Sequence, residues 1–404
     1  MKKSFYYLSL MFLAAFSLIV LVACGDDSCK HDAPESCNIS VEENRIEATC
    51  TKDGSYDAVI YCSLCHDELS RTEKVIPKGH TPKDAIEEYR VEATCTEDGH
   101  YDSVVYCDVC DGEISRETVT LPATSHNPTS ELKCSKCSEP VTYYRDGDYI
   151  YFGEYPQTLK ADSITITSTV DSRGYYLGSD GSYYAKVVAA TYDGAYSEGP
   201  EPYKFSTGAT VNDGETYYFK VEPIRWKVLS EKNNSALILC DSIIENRRYD
   251  SSYNNYAESE ISEWLNETFY ETAFTELQRE MMLTTRLYNS APWDVVFDGV
   301  TDDKIFLMSF QNMRNDTYGF AKSYTYNDVE RRRETSDYTR ARGACMSTES
   351  KYYGNGIWWL RTPGDASIDM AMSVLFGGSM QLPKNVNYSD YVGVVPAIGI
   401  TFEE

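Results

Sequence analysis

Apolar and polar positions alternate in short bursts through the first third of the chain, and in longer runs after it. The early bursts are "YDAVIY" (56–61) and "YDSVVY" (101–106), each led by an Asp-Gly pair and followed at once by a CxxC pair. Each reads as a strand entered from a turn, so the expected unit is a hairpin ending in a cysteine knuckle. Beyond Pro140, "DGDYIYFGEYPQ" predicts a turn and strand, and "GYYLGSDGSYYAKV" a hairpin closed by Asp180-Gly181. "ETYYFKVEPIRWKVLS" and "SALILCDSII" predict paired strands. The period then changes, because Ile261, Trp264, Leu265, Phe269, Ala273, Leu277 and Met281 fall on one face of one or two amphipathic helices. A strand over "KIFLMSF", a short helix capped by Ser336 or Asp337, and strands in "GIWWLRTPG", "MAMSVLFGG" and "YVGVVPAIGITF" follow. Together they predict an α+β domain over 141–404 with a curved, mainly antiparallel sheet and a few helices.

The early bursts belong to an internal repeat. Residues 45–71 and 90–116 are identical at 17 of 27 positions, and both copies keep "EATCT", Asp-Gly and CxxC. A CxxC pair puts two sulfurs on one tight turn, and tetrahedral zinc needs two further soft or borderline ligands. Cys50 and Cys95 can each supply one, and His31, His80 and His126 precede Cys62/Cys65, Cys107/Cys110 and the shortened element "LKCSKC" with Cys134/Cys137. Two registers are open. Either each CxxC takes its upstream histidine, or Cys50/Cys62/Cys65/His80 and Cys95/Cys107/Cys110/His126 form the sites, leaving Cys134 and Cys137 to Cys29, His31 or Cys37. Disulfides are the competing reading, but three cysteines per copy leave one thiol over. His66 and His100 are not shared between copies and are expected at the surface. A site with four protein ligands is structural, not catalytic.

The expected order is therefore a leader over 1–23, a linker over 24–40, Cys-rich repeats over 41–82 and 83–128, a truncated CxxC element over 129–140, and the domain over 141–404. A net charge of −26 argues against nucleic acid as partner. The 34 tyrosines suit strands and partner-facing rings. No histidine follows His126, so the last domain holds neither a Ser-His-Asp nor a Cys-His nor a histidine-zinc centre of its own. Cys240, in "ALILC", is expected to be a buried inert thiol, Cys345 less clearly so. "DGVTDD" (298–303) is the nearest calcium candidate, and calcium is not expected.

Lys2 and Lys3, an apolar run from about Leu8 to Val22 and then Ala23-Cys24 resemble a bacterial lipoprotein signal. That resemblance implies lipidation of Cys24, a membrane anchor and an extracellular location. The other reading of Phe5–Ala23 is an uncleaved membrane-spanning helix. The repeats, with "EATCT", CxxC and a terminal "GH", resemble Cys-rich repeats of surface proteins from anaerobic Gram-positive bacteria, which implies small zinc-ribbon-like β units acting as a spacer. Tyr155-Pro156-Gln157, Trp264-Leu265-Asn266, Phe306-Leu307-Met308-Ser309, Trp359-Leu360-Arg361-Thr362-Pro363 and Gly393-Val394-Val395-Pro396-Ala397 resemble an uncharacterised extracellular domain family of gut bacteria. Its closing strands are similar in plan to C-type-lectin-like and formylglycine-generating-enzyme-like domains, although Val395 stands where that family has arginine. The expectation is a lipid-anchored surface protein binding an extracellular glycan or protein, with Trp358, Trp359 and Arg361 as candidate contacts. The rivals are an enzyme acting on polysaccharide or cell-wall material and a structural envelope protein.

Overall fold

The structure is a computed structural model that describes residues 38–192, 203–290, 297–364, 367–387 and 391–402. The chain divides into two compact units, Met1–Ser125 and His126–Glu404. Both are mainly antiparallel β-structure with few helices, and no helix among the described residues is long and apolar enough to cross a membrane.

The first unit holds two three-stranded antiparallel sheets, β1 (Asn38–Ile46), β2 (Gly54–Cys62) and β3 (Glu68–Ile76), then β4 (Ile86–Val91), β5 (Gly99–Tyr106) and β6 (Glu113–Leu121). The predicted bursts are the middle strands. The outer strands were not foreseen, because sequences such as "ELSRTEKVI" are exposed on both faces and carry no apolar alternation. Arg71 spans one sheet by bonding Glu43, Asp57 and Glu68 at 2.9, 2.8 and 2.7 Å. Arg116 does the same with Glu88, Asp102 and Glu113 at 3.0, 2.9 and 2.7 Å.

The Asp-Gly pairs are not hairpin turns. Gly54 and Gly99 open β2 and β5, and a Cβ on either would lie 2.3–2.4 Å from backbone atoms of the preceding loop, Ile46 O and Ala48 N or Val91 O and Ala93 N. Asp53 and Asp98 each accept a bond from a backbone amide beyond the third strand, Lys78 N and Ala123 N, both at 2.7 Å. The Thr49 and Thr94 hydroxyls accept from Lys52 N and Glu97 N, which tightens the turn carrying Cys50 or Cys95. The threonine ahead of the cysteine, the aspartate and the glycine of "EATCT-DG" thus serve one loop.

In the second unit, β7 (Tyr144–Asp146), β8 (Tyr149–Leu159), β9 (Ile166–Val170), β10 (Tyr176–Gly178), β11 (Tyr183–Val188), β12 (Thr216–Lys232) and β13 (Ser235–Cys240) lead into β14 (Ser242–Ile243) and β15 (Glu245–Asn246). After the helices come β16 (Met282–Leu283), β17 (Thr285–Ser290), β18 (Phe297–Asp303), β19 (Ile305–Leu307), β20 (Glu334–Thr335), β21 (Trp358–Pro363), β22 (Met370–Val374), β23 (Lys384–Asn385), β24 (Gly393–Val394) and β25 (Pro396–Thr401). The seventeen-residue β12 is the spine of a ten-stranded sheet, flanked by β8, β11 and β13, with β25 beyond β13. A second sheet runs β15-β24-β21-β22-β23, and β14 pairs in parallel with β20. The β12–β13 hairpin turns on Asn233 and Asn234, at φ 50° and 59°.

The apolar period over 261–281 resolves into two helical pieces. The first runs from α1 (Glu260–Trp264) through a wider turn to α2 (Tyr270–Ala273), and the chain breaks at Phe274. Thr275 and Gln278 then form a reciprocal cap on α3 (Glu276–Met281). Ser336, one of the two expected caps, starts α4 (Asp337–Ala341). The aromatic core packs Trp226 and Phe152 against Phe274, and Tyr155 against Phe269 and Tyr338. Cys240 and Cys345 are both fully buried, and burial pushes the Cys240 thiol up to about 12.

Two tests follow from this packing. Arg331 is fully buried, 3.3 Å from Asp328, and it donates to the carbonyls of Met313, Gly378, Ala321 and Ser323. Arg331→Met should lower chemical-denaturation stability by about 3–5 kcal/mol, because a carboxylate and a ring of carbonyls lose their donor. In the first unit, Asn44 and Arg71 hold Asp57 below the usual carboxylate range, and Arg116 and Thr118 do so for Asp102. Their folded pKa values are depressed, so this stabilisation is complete above about pH 4 and is lost as the pH falls further. An Arg71→Ala/Arg116→Ala variant should therefore melt below the parent at pH 7, with the difference closing at pH 2–3.

Candidate metal centres and a polar cleft

The same backbone turn occurs three times. In each CxxC knuckle the first cysteine's amide donates to the carbonyl five residues on: Cys62 to Asp67, Cys107 to Gly112 and Cys134 to Glu139, at 2.8–2.9 Å. The residue four positions on donates back to the cysteine carbonyl, from His66, Asp111 and Ser138, at 2.8–3.0 Å. Those three residues take φ values of 64°, 54° and 63°. The fold is built so that two sulfurs sit on one side of a closed loop.

Two of the knuckles sit in complete four-ligand groups, Cys50/His80/Cys107/Cys110 and Cys95/His126/Cys134/Cys137, and within each group all ligand atoms lie within 4.8 Å of one another. Cys50 Sγ is 3.5 Å from Cys107 Sγ, and Cys110 Sγ is 3.5 Å from His80 Nδ1. Cys137 Sγ is 3.4 Å from His126 Nδ1. Tetrahedral zinc would set the edges at roughly 3.8 Å between two sulfurs and roughly 3.6 Å between sulfur and nitrogen. A disulfide needs about 2.05 Å, and no disulfide joins any of the described cysteines. Three sulfurs and one imidazole nitrogen on tetrahedral spacing fit a metal of zinc's preferences.

In both described groups the CxxC takes its upstream histidine, His80 for Cys107/Cys110 and His126 for Cys134/Cys137, and neither Cys50/Cys62/Cys65/His80 nor Cys95/Cys107/Cys110/His126 is among them. The cysteine of "EATC" does not join the knuckle of its own copy. Cys50, between β1 and β2, instead meets His80, Cys107 and Cys110 around the second sheet. Cys95 falls with His126, Cys134 and Cys137.

A short motif sets the histidine, and the sequence reading overlooked it. His80-Thr81-Pro82 and His126-Asn127-Pro128 are both His-x-Pro. The proline of each bridges to the first knuckle cysteine, Pro82 to Cys107 and Pro128 to Cys134. Asn127 N donates to Cys134 Sγ at 3.3 Å. Burial pushes the Cys107 thiol up, but the amides of Val109 and Cys110, with His80 and the Thr81 amide, outweigh it and bring it down to about 5. Cys134 is brought to about 5 in the same way by the amides of Cys137, Asn127 and Lys136 with His126. Cys50, bonded to Cys107 and Cys110, is pushed up to about 11.

The remaining expected site residues are placed as follows. Cys24 and His31 lie outside the described residues. Cys62 is buried and Cys65 half-buried in the first knuckle. His66 and His100 are exposed. Trp358 and Trp359 are fully buried and Arg361 is 6 % exposed, which corrects their reading as ligand contacts. The two indoles donate to Arg331 O and Arg247 O, and Arg361 holds Leu307 O and the Asn312 side chain. The unbroken apolar run in "GIWWLRTP" marks a central strand, so these side chains face packing on both sides. Within "DGVTDD", Asp302 pairs with Arg286 and Asp303 accepts from Thr301. Val395 is buried, and the nearby buried carboxylate, Glu245, is met by Arg342 at 3.0 Å and by the Tyr155 hydroxyl at 2.9 Å.

A polar cleft of about 610 Å³ opens in the second unit, where β13 leaves its sheet. Gln157, Arg225, Asp241, Ser242, Arg332 and Asn355 are among its lining residues. Arg225 lies 3.6 Å over the Tyr149 ring and 3.0 Å from Asp241. Arg332 lies over Tyr352 and donates to Gly377 O at 3.2 Å. Both guanidinium groups are thus fixed at the rim. Sequence reasoning missed the cleft because its residues come from separate strands and share no motif.

Residues 233–401 match a family described as a domain of unknown function (DUF6273). No curated protein and no solved structure matches the chain. The matched stretch contributes Asp241, Ser242, Arg332 and Asn355 to the cleft, while Gln157 and Arg225 precede it.

The interleaving of the first group gives a direct test. Cys50→Ser should remove one equivalent of bound metal, read by mass spectrometry, and raise the protease sensitivity of the second repeat as well as the first.

Proposed function

We propose that this chain is a lipid-anchored protein of the outer membrane face, in which zinc-stapled, zinc-ribbon-like repeats form a spacer and the second unit is a lectin-like domain that binds a polar extracellular ligand. The observation that carries the reading is the cleft. Its lining of amide, carboxylate, guanidinium and hydroxyl groups offers paired donors and acceptors in fixed positions, the chemistry that recognises a carbohydrate's hydroxyls. A rim of arginines braced on tyrosine rings loses little side-chain freedom on binding. The anchor is Cys24, and its support is the leader sequence alone. The two Cys3His groups hold structural zinc, and with no open coordination position they supply no water for chemistry.

The zinc matters for folding. Within the first sheet Val59 and Cys62 are the fully buried side chains, and within the second Val104 and Cys107. Burying one valine supplies about 1.5–3 kcal/mol. Structural zinc contributes about 10–16 kcal/mol in comparably small domains.

The full chain should bind selected glycans on an array, with equal strength before and after chelation, because no residue of either Cys3His group lines the cleft. Arg332→Ala should weaken that binding at least tenfold while leaving the melting transition of the second unit in place. A silent array would remove the carbohydrate reading and leave a protein ligand.

A further inference from the structure

We infer that a small pocket in the second unit, separate from the polar cleft, binds a small apolar carboxylate, with the acid group held by Lys384 and Ser379 and the hydrocarbon part against Ile357, Leu375, Phe376 and Leu382. The pocket measures about 250 Å³ and shares no lining residue with the cleft. It lies wholly inside the stretch that matches the family, whereas the cleft also draws on Gln157 and Arg225 ahead of that stretch. The inference therefore stands whether or not the cleft takes a glycan.

The pocket is built before any ligand arrives. Strand β22 leads into a tight turn over 375–379, closed by Leu375 N on Ser379 O at 2.9 Å and Gly378 N on Leu375 O at 2.8 Å. That turn is pressed against the chain at 327–328. A Cβ on Gly377 would lie 2.3 Å from Asn327 Oδ1, and one on Gly378, at φ 88°, would lie 2.0 Å from Asp328 O. Asp328 N and the Arg332 guanidinium both donate to Gly377 O, and the fully buried Arg331 donates to Gly378 O. Beyond the turn, Met380 N donates to Tyr324 O at 2.9 Å, and the Gln381 amide donates to Thr325 O. Asn327 in turn donates to the Tyr352 hydroxyl, and both of these residues line the pocket. A wall pinned at this many points loses little freedom when a ligand enters.

Two lining groups set the chemistry of the occupant. Ser379 is 6 % exposed, and its hydroxyl makes no hydrogen bond to any described residue. A hydroxyl set so deep is expected to have a partner, and this one opens on the pocket. Lys384, on β23, is 8 % exposed and lines the same pocket. Burial holds its ammonium below the usual lysine range, while the Cys345 thiol acts in the opposite direction. A carboxylate arriving beside it favours the charged form and reverses that cost, which a neutral ligand cannot do. No acidic side chain lines the pocket, so an anion meets no repulsion from its walls. The apolar side of the lining is formed by buried Ile357, half-buried Leu375 and Phe376, and the more exposed Leu382. A volume below the roughly 300–1,000 Å³ of drug-sized sites limits the occupant to a short chain or a single ring.

The test is binding of hexanoate and benzoate to the full chain, followed by saturation-transfer NMR and titration calorimetry, with hexanol and benzyl alcohol as neutral matches. At least one of the two acids should bind, at least tenfold more tightly than its alcohol. Lys384→Met should weaken that acid at least tenfold and close most of its advantage over the alcohol. Ser379→Ala removes only a hydroxyl, so it keeps the test open if the lysine variant fails to fold, and it should weaken the acid at least threefold. No binding of either acid, or an acid and its alcohol bound equally, would overturn the site. Acid binding that is unchanged in folded Ser379→Ala would place the acid elsewhere and overturn it as well.

Discussion

A tetrahedral metal needs four donors at nearly equal distance from one point, and no single sheet of the first unit owns four. That mismatch organises the N-terminal part of the chain. A knuckle contributes two sulfurs, a His-x-Pro segment bridged to the same knuckle contributes the imidazole, and the fourth donor comes from a neighbouring loop. Because one donor of the first group is Cys50, between β1 and β2, and the others gather at the second sheet, the clamp ties copy to copy. The features that the loop around Cys50 shares with its second copy follow from this. A threonine tightens the turn, an aspartate braces it, and a glycine lets the backbone pass within van der Waals reach.

The second unit solves its packing by other means. Its spine, β12, is flanked by strands over its whole length, and the indole of Trp226 on it is satisfied by Phe152 O at 2.8 Å. Charges are taken into the interior only with partners: Arg331 inside a ring of carbonyls, Glu245 between Arg342 and Tyr155, Asp337 accepting from Leu159 and Ser206. Such side chains are costly to strip of partners. The cleft is where that rule relaxes, since polar groups there face open space.

What could be read in advance followed the physical signal. The middle strands, the turn and strand of β8, the β10–β11 hairpin, the helical stretch over 261–281 and the Ser336 cap rest on local alternation, turn residues or capping chemistry, and these are visible in a few consecutive residues. The outer strands of the repeats were hidden because charged residues bridged by Arg71 and Arg116 leave no apolar period. Asp-Gly was read as a turn from its usual behaviour, whereas the glycine here answers a backbone approach at distance. The metal donors were recognised by type, but their grouping is a tertiary fact. Trp358, Trp359 and Arg361 attracted a binding role by residue type alone, and burial removed it.

The separation between the donating cysteine and the knuckle that receives it also sets an order of events. Cys50 precedes Cys110 by sixty positions, so a chain made N-terminus first holds an idle thiol at Cys50 until the following copy is out. Each copy therefore completes its predecessor, and "LKCSKC" can end the series because it receives a donor and offers none. Lengthening such an array takes only the insertion of whole copies, and every joint between them is made from parts already present.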